Sequence, residues 1–304
     1  SILTLHDAWF WCPAGGTLLR NAMQVCRCPT VTDCLECTAK WRPTPTRTAN
    51  YLSRVAGKLH PFISSPQLHS LWKKLPASLR RRIATQELAT NLESPADLEK
   101  RNQALLDFAN RSSLITAPSK FLSQEANTQG LNDVLHIAHG IEEHRVHIGG
   151  GGFVFLGTME VHKGPHIVEK AYMLAFPTQD IPIKFYGNGS LSVSLPHSPA
   201  ISREEVFRAL QQADCLVLGS IWPENSPMII LEARACGCPI IAPNIGGIPE
   251  LIQDGVDGLL YPVADVNSLA EKMLQSLDFQ FKSRPPPTQM SSLDQYEELY
   301  RGLL

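Results

Sequence analysis

No stretch of the sequence approaches the roughly 20 consecutive apolar residues that a bilayer-crossing helix needs, so nothing in it reads as a transmembrane segment. The first residues, SILTLHDAWFWCP, lack the basic start and apolar core of a secretory leader. Excess charge is also missing: the 304 residues sum to a formal −2, which speaks against nucleic acid as a partner and against a disordered chain. Aromatics amount to only 7%, while 43% hydrophobic residues suffice for one large or two medium globular domains. Eight cysteines are too few to staple a chain of this size with disulfides. A cytoplasmic globular protein is the expectation.

One local absence is larger than any global one. From Cys37 to Gln86 there is no Asp or Glu, while ten Lys and Arg fall there, from Lys40 to Arg82. The chain is therefore electrically polarised, with a basic block over 40–82 and an acidic remainder. Trp41, Tyr51, Phe62 and Trp72 are interleaved with these charges. Such a surface suits anionic lipid headgroups or an anionic substrate. The plainer reading, a solvated basic face held on a core by its aromatics, is preferred, with peripheral contact at the inner face of a membrane as the alternative.

The second half alternates short apolar runs with helix-length segments, the rhythm of repeated strand–helix units and a parallel sheet. The runs are FVFLG at 153–157, IKFYG at 183–187, CLVLG at 215–219, PIIAP at 239–243 and GLLYP at 258–262. Helices are expected near 165–176, 202–212, 226–236, 248–253 and 265–276. Nearly continuous apolar strands imply helices on both faces, hence a doubly wound, Rossmann-like α/β domain. The first half offers two strands, Ile2–Leu5 and Ser113–Ala117, with helices over 50–60, 67–90 and 97–110. Gly149–Gly152 reads either as a joint between halves or as a surface turn, and a last amphipathic helix is expected near 291–302 after Pro285–Pro287.

Residues 221–262, IWPENSPMIILEARACGCPIIAPNIGGIPELIQDGVDGLLYP, carry the densest chemistry. Ser226 is placed to cap a helix opening at Pro227, which would aim free backbone N–H groups out of the C-terminal edge of the sheet, where doubly wound folds bind anions. Glu224 precedes that helix and Glu232 lies within it, two carboxylates spaced to accept hydroxyls from two ends of one polyhydroxylated ligand. Alone, the pair would more simply be surface charge.

The neighbours of the pair change that. The stretch resembles the donor-binding signature of the retaining GT-B glycosyltransferases, the large family with glycogen synthase-like and lipid-mannosyltransferase-like members, whose Glu-x7-Glu motif falls on Glu224 and Glu232. FLGTMEVHKGPHIVEKA at 155–171, YGNGS at 186–190 and LHDAWFWCP at the front resemble the same family. The resemblance implies a GT-B fold of two Rossmann-like domains: a partial acceptor-side domain over 1–140, a nucleotide-sugar domain over 141–285, and a helix in 286–304 crossing back. It implies transfer of a sugar from a nucleoside diphosphate donor to a polysaccharide, lipid-linked or other glycan acceptor, without a catalytic metal. Glu232 would accept ribose hydroxyls, Glu224 the hydroxyls of the donor sugar, and Lys163 would neutralise the diphosphate. The backbone of Asn225, Ser226 and Met228, with Thr158 and Gly187, would complete the donor site, and His6 would face it from across the cleft. Negative charge builds on the leaving β-phosphate, so a fixed cation and a helix N-terminus are physically apt there.

Two departures weigh against an intact enzyme. Thr158 stands where the family has an Arg, a loss of about 1–3 kcal/mol of charge-assisted binding. The family's glycine-rich loop after the first strand has no counterpart, so the N-terminal domain is expected to be incomplete. A catalytically impaired nucleotide-sugar binder or scaffold is accordingly the alternative. An oxidoreductase is disfavoured because no G-x-G-x-x-G follows a strand. Five cysteines fall in the first forty residues, and Cys34-x2-Cys37 with Cys12 and Cys26 offers the ligands of a structural zinc site. An iron–sulfur cluster and unliganded thiols are the other readings. Cys215, Cys236 and Cys238 are expected in the core.

Overall fold

The computed structural model describes residues 1–13, 16, 18–20, 24–26, 32–35, 37, 94–142, 145–178 and 180–303. The basic block over 40–82, its aromatics and the helices expected over 50–60 and 67–90 lie outside these residues. The chain divides into two compact units, Ser1–Arg27 with Asn102–Leu304, and Cys28–Arg101. Within the second unit, Ser94 and Asp97 cap the start of α1 (Pro95–Asn110) reciprocally, with Ser94 Oγ donating to the Asp97 carboxylate at 2.7 Å.

The first unit contains two parallel sheets and a short ribbon. Strand β1 (Ile2–Thr4) pairs with β4 (Leu114–Ala117), and β4 pairs with β5 (Leu135–His136). The sequence pattern predicts only two strands here. β5 escapes it because two residues carry no periodicity, and its existence rests on pairing with Thr116 and Ala117. Also missed are the antiparallel ribbon of β2 (Leu19–Arg20) and β3 (Gln24–Val25) and helix α2 (Lys120–Thr128), which Ser119 caps by accepting from Leu122 N–H.

The larger sheet holds β6 (Phe153–Leu156), β7 (Ile183–Tyr186), β8 (His197–Ser198), β9 (Cys215–Val217), β10 (Ile240–Pro243) and β11 (Gly258–Tyr261). Its order is β11-β10-β9-β6-β7-β8 and every pairing is parallel. The strand order therefore reverses between β6 and β9, which in a doubly wound sheet opens a crevice at the carboxyl ends of those two strands.

Alternation along β6 explains the two-faced core. Phe153 and Phe155 point to one face, where α3 (Pro165–Ala175) and α7 (Val266–Asp278) contribute Val168, Tyr172 and Met273. Val154 and Leu156 point to the other, where α4 (Arg203–Gln212) and α5 (Met228–Cys236) contribute Phe207, Leu210, Ile230 and Leu231. Burying each such side chain is worth about 1.5–3 kcal/mol. Cys215, Cys236 and Cys238 are buried.

The glycine run is pinned to the larger sheet's layer. The N–H groups of Gly150 and Gly152 donate to the two Asp214 carboxylate oxygens at 2.5 and 2.8 Å. Helix α6 (Ile248–Leu251) follows β10, and the buried Arg234 and Asp257 form an ionic group there with the partly exposed Arg284. The last helix, α8 (Gln289–Gly302), returns to the smaller sheet, where Tyr296 Oη lies 3.2 Å from Thr116 Oγ1 and Ser292 Oγ donates to the Ala138 carbonyl at 2.7 Å.

Candidate functional site

Two adjoining cavities lie at the reversal of strand order. One, of about 280 Å³, is lined by the end of β6 through Thr158, by Lys163, by Leu218 and Ser220 after β9, by Glu224, and by Pro227, Met228 and Ile229 at the start of α5. The other, of about 370 Å³, shares Leu156, Gly157, Thr158 and Ile229 and adds Tyr186, Gly187, Asn188 and Ile201. Together they form a cleft bordered by strand ends and one helix N-terminus. The Met228 and Ile229 N–H groups belong to the unpaired opening turn of α5, the positive end of its dipole.

Local geometry presents Lys163. A single 3₁₀ turn over Val161–Lys163 ends at Gly164, whose φ of 65° is left-handed and costs glycine little. A Cβ at Gly164 would run into the Gly219 carbonyl, so glycine lets the Lys163 turn pack directly against the end of β9. Lys163 Nζ then donates to Glu224 Oε1 at 2.6 Å and lies 4.9 Å from the Trp222 ring centre. Ser220 Oγ donates to the same carboxylate oxygen at 2.8 Å. Glu224 is 6% exposed, so this is a largely desolvated pair, stronger than a surface bridge and costly to break. His162 packs edge-on to Trp222 at 5.5 Å, and its pKa is lowered first by burial and then by the Lys163 charge, which keeps the ring neutral near pH 7.

The neighbouring loop binds the two sheets together. Asn225 Nδ2 donates to the His6 carbonyl at 2.9 Å, and Ser119 Oγ bonds Asn225 Oδ1. Glu250 accepts the Lys120 and Phe121 N–H groups at 2.8 and 2.6 Å, so one carboxylate occupies the N-terminus of α2. The exposed His6 ring stacks on His139 at 6.3 Å with 18° between planes. Burial, then the His6 charge, lowers the His139 pKa.

The cavities thus gather Thr158, Lys163, Gly187, Glu224 and Met228. Glu232 lies outside both, five residues into α5, where its carboxylate comes within 3.8 Å of Arg203 Nε. Ser226 does not cap the helix. α5 opens at Met228 with Pro227 in the cap position, and the buried Ser226 hydroxyl has no partner. A residue before proline is barred from helical backbone, and the Glu224 carbonyl is held by Gly247 N–H at 2.7 Å, which fixes the approach of the chain. The Trp222 indole N–H is likewise buried and unpaired. Sequence reasoning also missed Ser220, Trp222, His139 and Glu250. Trp222, His139 and Glu250 have no spacing signal because each acts through a residue distant in sequence, and Ser220, though only four residues before Glu224, is one more loop serine until the fold turns it to that carboxylate.

Cys12 and Cys37 are buried and Cys26 and Cys34 half-buried. Among the described residues no group of three or more His, Cys, Asp or Glu is arranged to hold a metal ion. Among them, too, no helix is long and apolar enough to cross a membrane.

Residues 152–285 match the profile of the family described as glycosyl transferases group 1. The D-inositol 3-phosphate glycosyltransferase of Paenarthrobacter aurescens is 30% identical over 125 residues, covering 35% of this chain and 30% of that protein. The N-acetyl-alpha-D-glucosaminyl L-malate synthase of Bacillus anthracis is 39% identical over 75 residues, 25% of this chain and 19% of that protein. The chain thus spans less than a third of the length of these relatives. In fold it is similar to Anabaena HepE solved with UDP, at a TM-score of 0.56 and 19% identity over 69% of this chain and 70% of that one. Sucrose-phosphate synthase of Thermosynechococcus elongatus gives a TM-score of 0.56 at 16% identity, over 74% of this chain and 65% of that one. The α/β fold with parallel sheets is that of GT-B glycosyltransferases.

Proposed function

We propose, from the match of residues 152–285 to the glycosyl transferases group 1 profile, that the chain transfers a sugar from a nucleoside diphosphate donor to a glycan or lipid-linked acceptor with retention of anomeric configuration. The observation that carries this reading is the meeting of Lys163, Glu224, Ser220 and the α5 N-terminus around one cavity at the strand-order reversal. A diphosphate needs fixed positive charge where the leaving group gains negative charge, and Lys163 with the Met228 and Ile229 amides supplies it. Glu224 keeps Oε2 for donor-sugar hydroxyls while Oε1 holds Lys163 and Ser220.

In the reaction the leaving phosphate takes the acceptor proton, as in the front-side displacement that the family resemblance implies. Lys163 exchanges Glu224 for the β-phosphate as charge develops. Glu232 accepts the ribose hydroxyls once it leaves Arg203, from which it is separated by more than a normal hydrogen bond. His6 and His139 face the donor sugar from the smaller sheet.

The test is a thermal-shift panel of UDP, GDP and ADP sugars against the wild type and Glu232→Ala, followed by NMR of the product anomer. A shift with one nucleotide, weakened in the variant, with an unchanged anomer, supports the reading. No shift with any nucleotide sinks donor binding, and an inverted anomer sinks retention. Thr158 favours a second reading, a binder without turnover, which donor binding without sugar release would establish.

A further inference from the structure

A further cavity lies away from the donor cleft. It holds about 460 Å³ and lies at the opposite end of the larger sheet, where Cys238 and Pro239 lead into β10 and the C-terminal turn of α5 ends at Gly237. His147 lines it and turns Nε2 to the Ala213 carbonyl at 2.7 Å, just before β9. Ligands of doubly wound sheets use the carboxyl ends of strands, so nothing in the donor reading accounts for this cavity.

Its lining is cationic. Arg145 is neutralised by Glu204 through two contacts of 2.8 Å. Arg284 Nε donates to Asp257 Oδ2 at 2.7 Å, and Arg234 Nε lies 3.8 Å from the same oxygen. One carboxylate thus serves two guanidiniums, and the side chains of Arg234 and Asp257 are 5% and 4% exposed. Burial, followed by the charge of Arg284, pulls the Arg234 pKa down to about 10. Lys282 adds an exposed ammonium with no carboxylate partner among the described residues. Two positive charges remain uncompensated around one concavity.

The lining leaves several donors over. Arg234 spends its N–H groups on the Leu251, Arg284 and Pro285 carbonyls, which makes it the fixed floor. Arg284 uses Nε and Nη2, on Asp257 and Leu251, and keeps Nη1. Lys282 and Ser283 add an ammonium and a hydroxyl to the same lining, whereas His147, which gives its Nε2–H to the Ala213 carbonyl, forms wall and offers no donor. Two residual charges with several N–H and O–H donors match the charge and acceptor count of a phosphate dianion, and the volume leaves room for a small molecule carrying it.

We propose that this cavity, lined by His147, Lys282, Ser283 and Arg284, is a second ligand site that binds a phosphate monoester. It stands independently of the donor site, because its residues lie at the other end of the strands. The phosphate could arrive on a soluble metabolite or on a lipid headgroup.

The test uses the full chain carrying Lys163→Met, so that phosphate binding in the donor cleft does not contribute. Inorganic phosphate and pyrophosphate are titrated calorimetrically at fixed ionic strength, and sedimentation is measured with phosphatidylcholine vesicles with and without phosphatidic acid. Saturable binding to either source is expected. Adding Lys282→Ala weakens it at least about tenfold, the effect of losing one charge-assisted hydrogen bond, and adding Lys282→Arg preserves it. In the otherwise wild-type chain, Lys282→Ala leaves the melting temperature and nucleotide affinity unchanged, since the side chain is exposed. Binding to neither source, or binding that Lys282→Ala does not weaken, overturns the proposal.

Discussion

Replacing Lys163 by Met separates what the lysine does for the fold from what it does for a ligand. In the structure its ammonium pairs with Glu224 at 2.6 Å, with side chains 25% and 7% exposed. Methionine keeps the stem over Trp222 and removes the charge. Glu224 is then a buried carboxylate with Ser220 as its remaining donor. Stranding one partner of a buried pair costs about 3–5 kcal/mol; because Lys163 is partly hydrated, about 2–3 kcal/mol is expected. Glu224→Gln in the same chain removes the stranded charge and should restore most of that loss, so a double-mutant cycle read by denaturant unfolding gives a coupling near that size. Nucleoside diphosphate affinity follows a different rule. Lys163→Met should weaken UDP or its equivalent by about 1.5–3 kcal/mol, one hydrogen bond to a charged group, or roughly ten- to a hundred-fold in Kd. The double variant should recover stability without recovering affinity. Wild-type affinity in the double variant would refute the assignment of Lys163 to the diphosphate, and additive stability effects would refute the buried pair.

Ser226→Ala discriminates by sign. A cap would cost about 1 kcal/mol when removed, but a buried hydroxyl without a partner is a liability, so the variant should be neutral or stabilised by up to about 1 kcal/mol, as read from the melting temperature. Asp257→Ala should destabilise by about 3–5 kcal/mol, because it leaves Arg234 and Arg284 facing each other. Calorimetric unfolding that moves by less than 1 kcal/mol would count against that group as a structural core. His139 has a folded pKa below its ordinary 6.5, so the unfolded chain binds the proton more readily. Its contribution to stability is therefore full above about pH 6.5 and is lost as pH falls from there through the folded value. His139→Asn should flatten the fall in unfolding free energy over that window, and an unchanged slope would remove His139 as a contributor.

Much of the larger sheet was legible because its strands announce themselves locally. FVFLG, IKFYG, CLVLG, PIIAP and GLLYP each supply an apolar run that both faces of a covered parallel sheet require, and all five became strands within a residue or two. The smaller sheet was half hidden. β5 is two residues long, and a strand that short exists only because β4 lies beside it. α2 follows a Ser119 cap that the sequence also contains, but its nine residues carry few apolar repeats.

The sequence by itself determined the covered parallel sheet and the identity of the chemical groups at its edge. Lys163 and Glu224 could be named through the family resemblance of the stretches that carry them, and the start of α5 through its proline, to within a residue. Their state was decided only by tertiary structure. Lys163 and Glu224 are 61 positions apart, yet they neutralise each other with Ser220 in a desolvated crevice, and Glu232 turns toward Arg203 of a preceding helix. The same holds for Lys282, Ser283 and Arg284, which belong to no motif in the sequence. They become the wall of a positively charged cavity only because the chain folds them back against the end of α5 and the start of β10. Burial and Coulomb energy depend on distance in space, and linear order carries that information only where the contact is local.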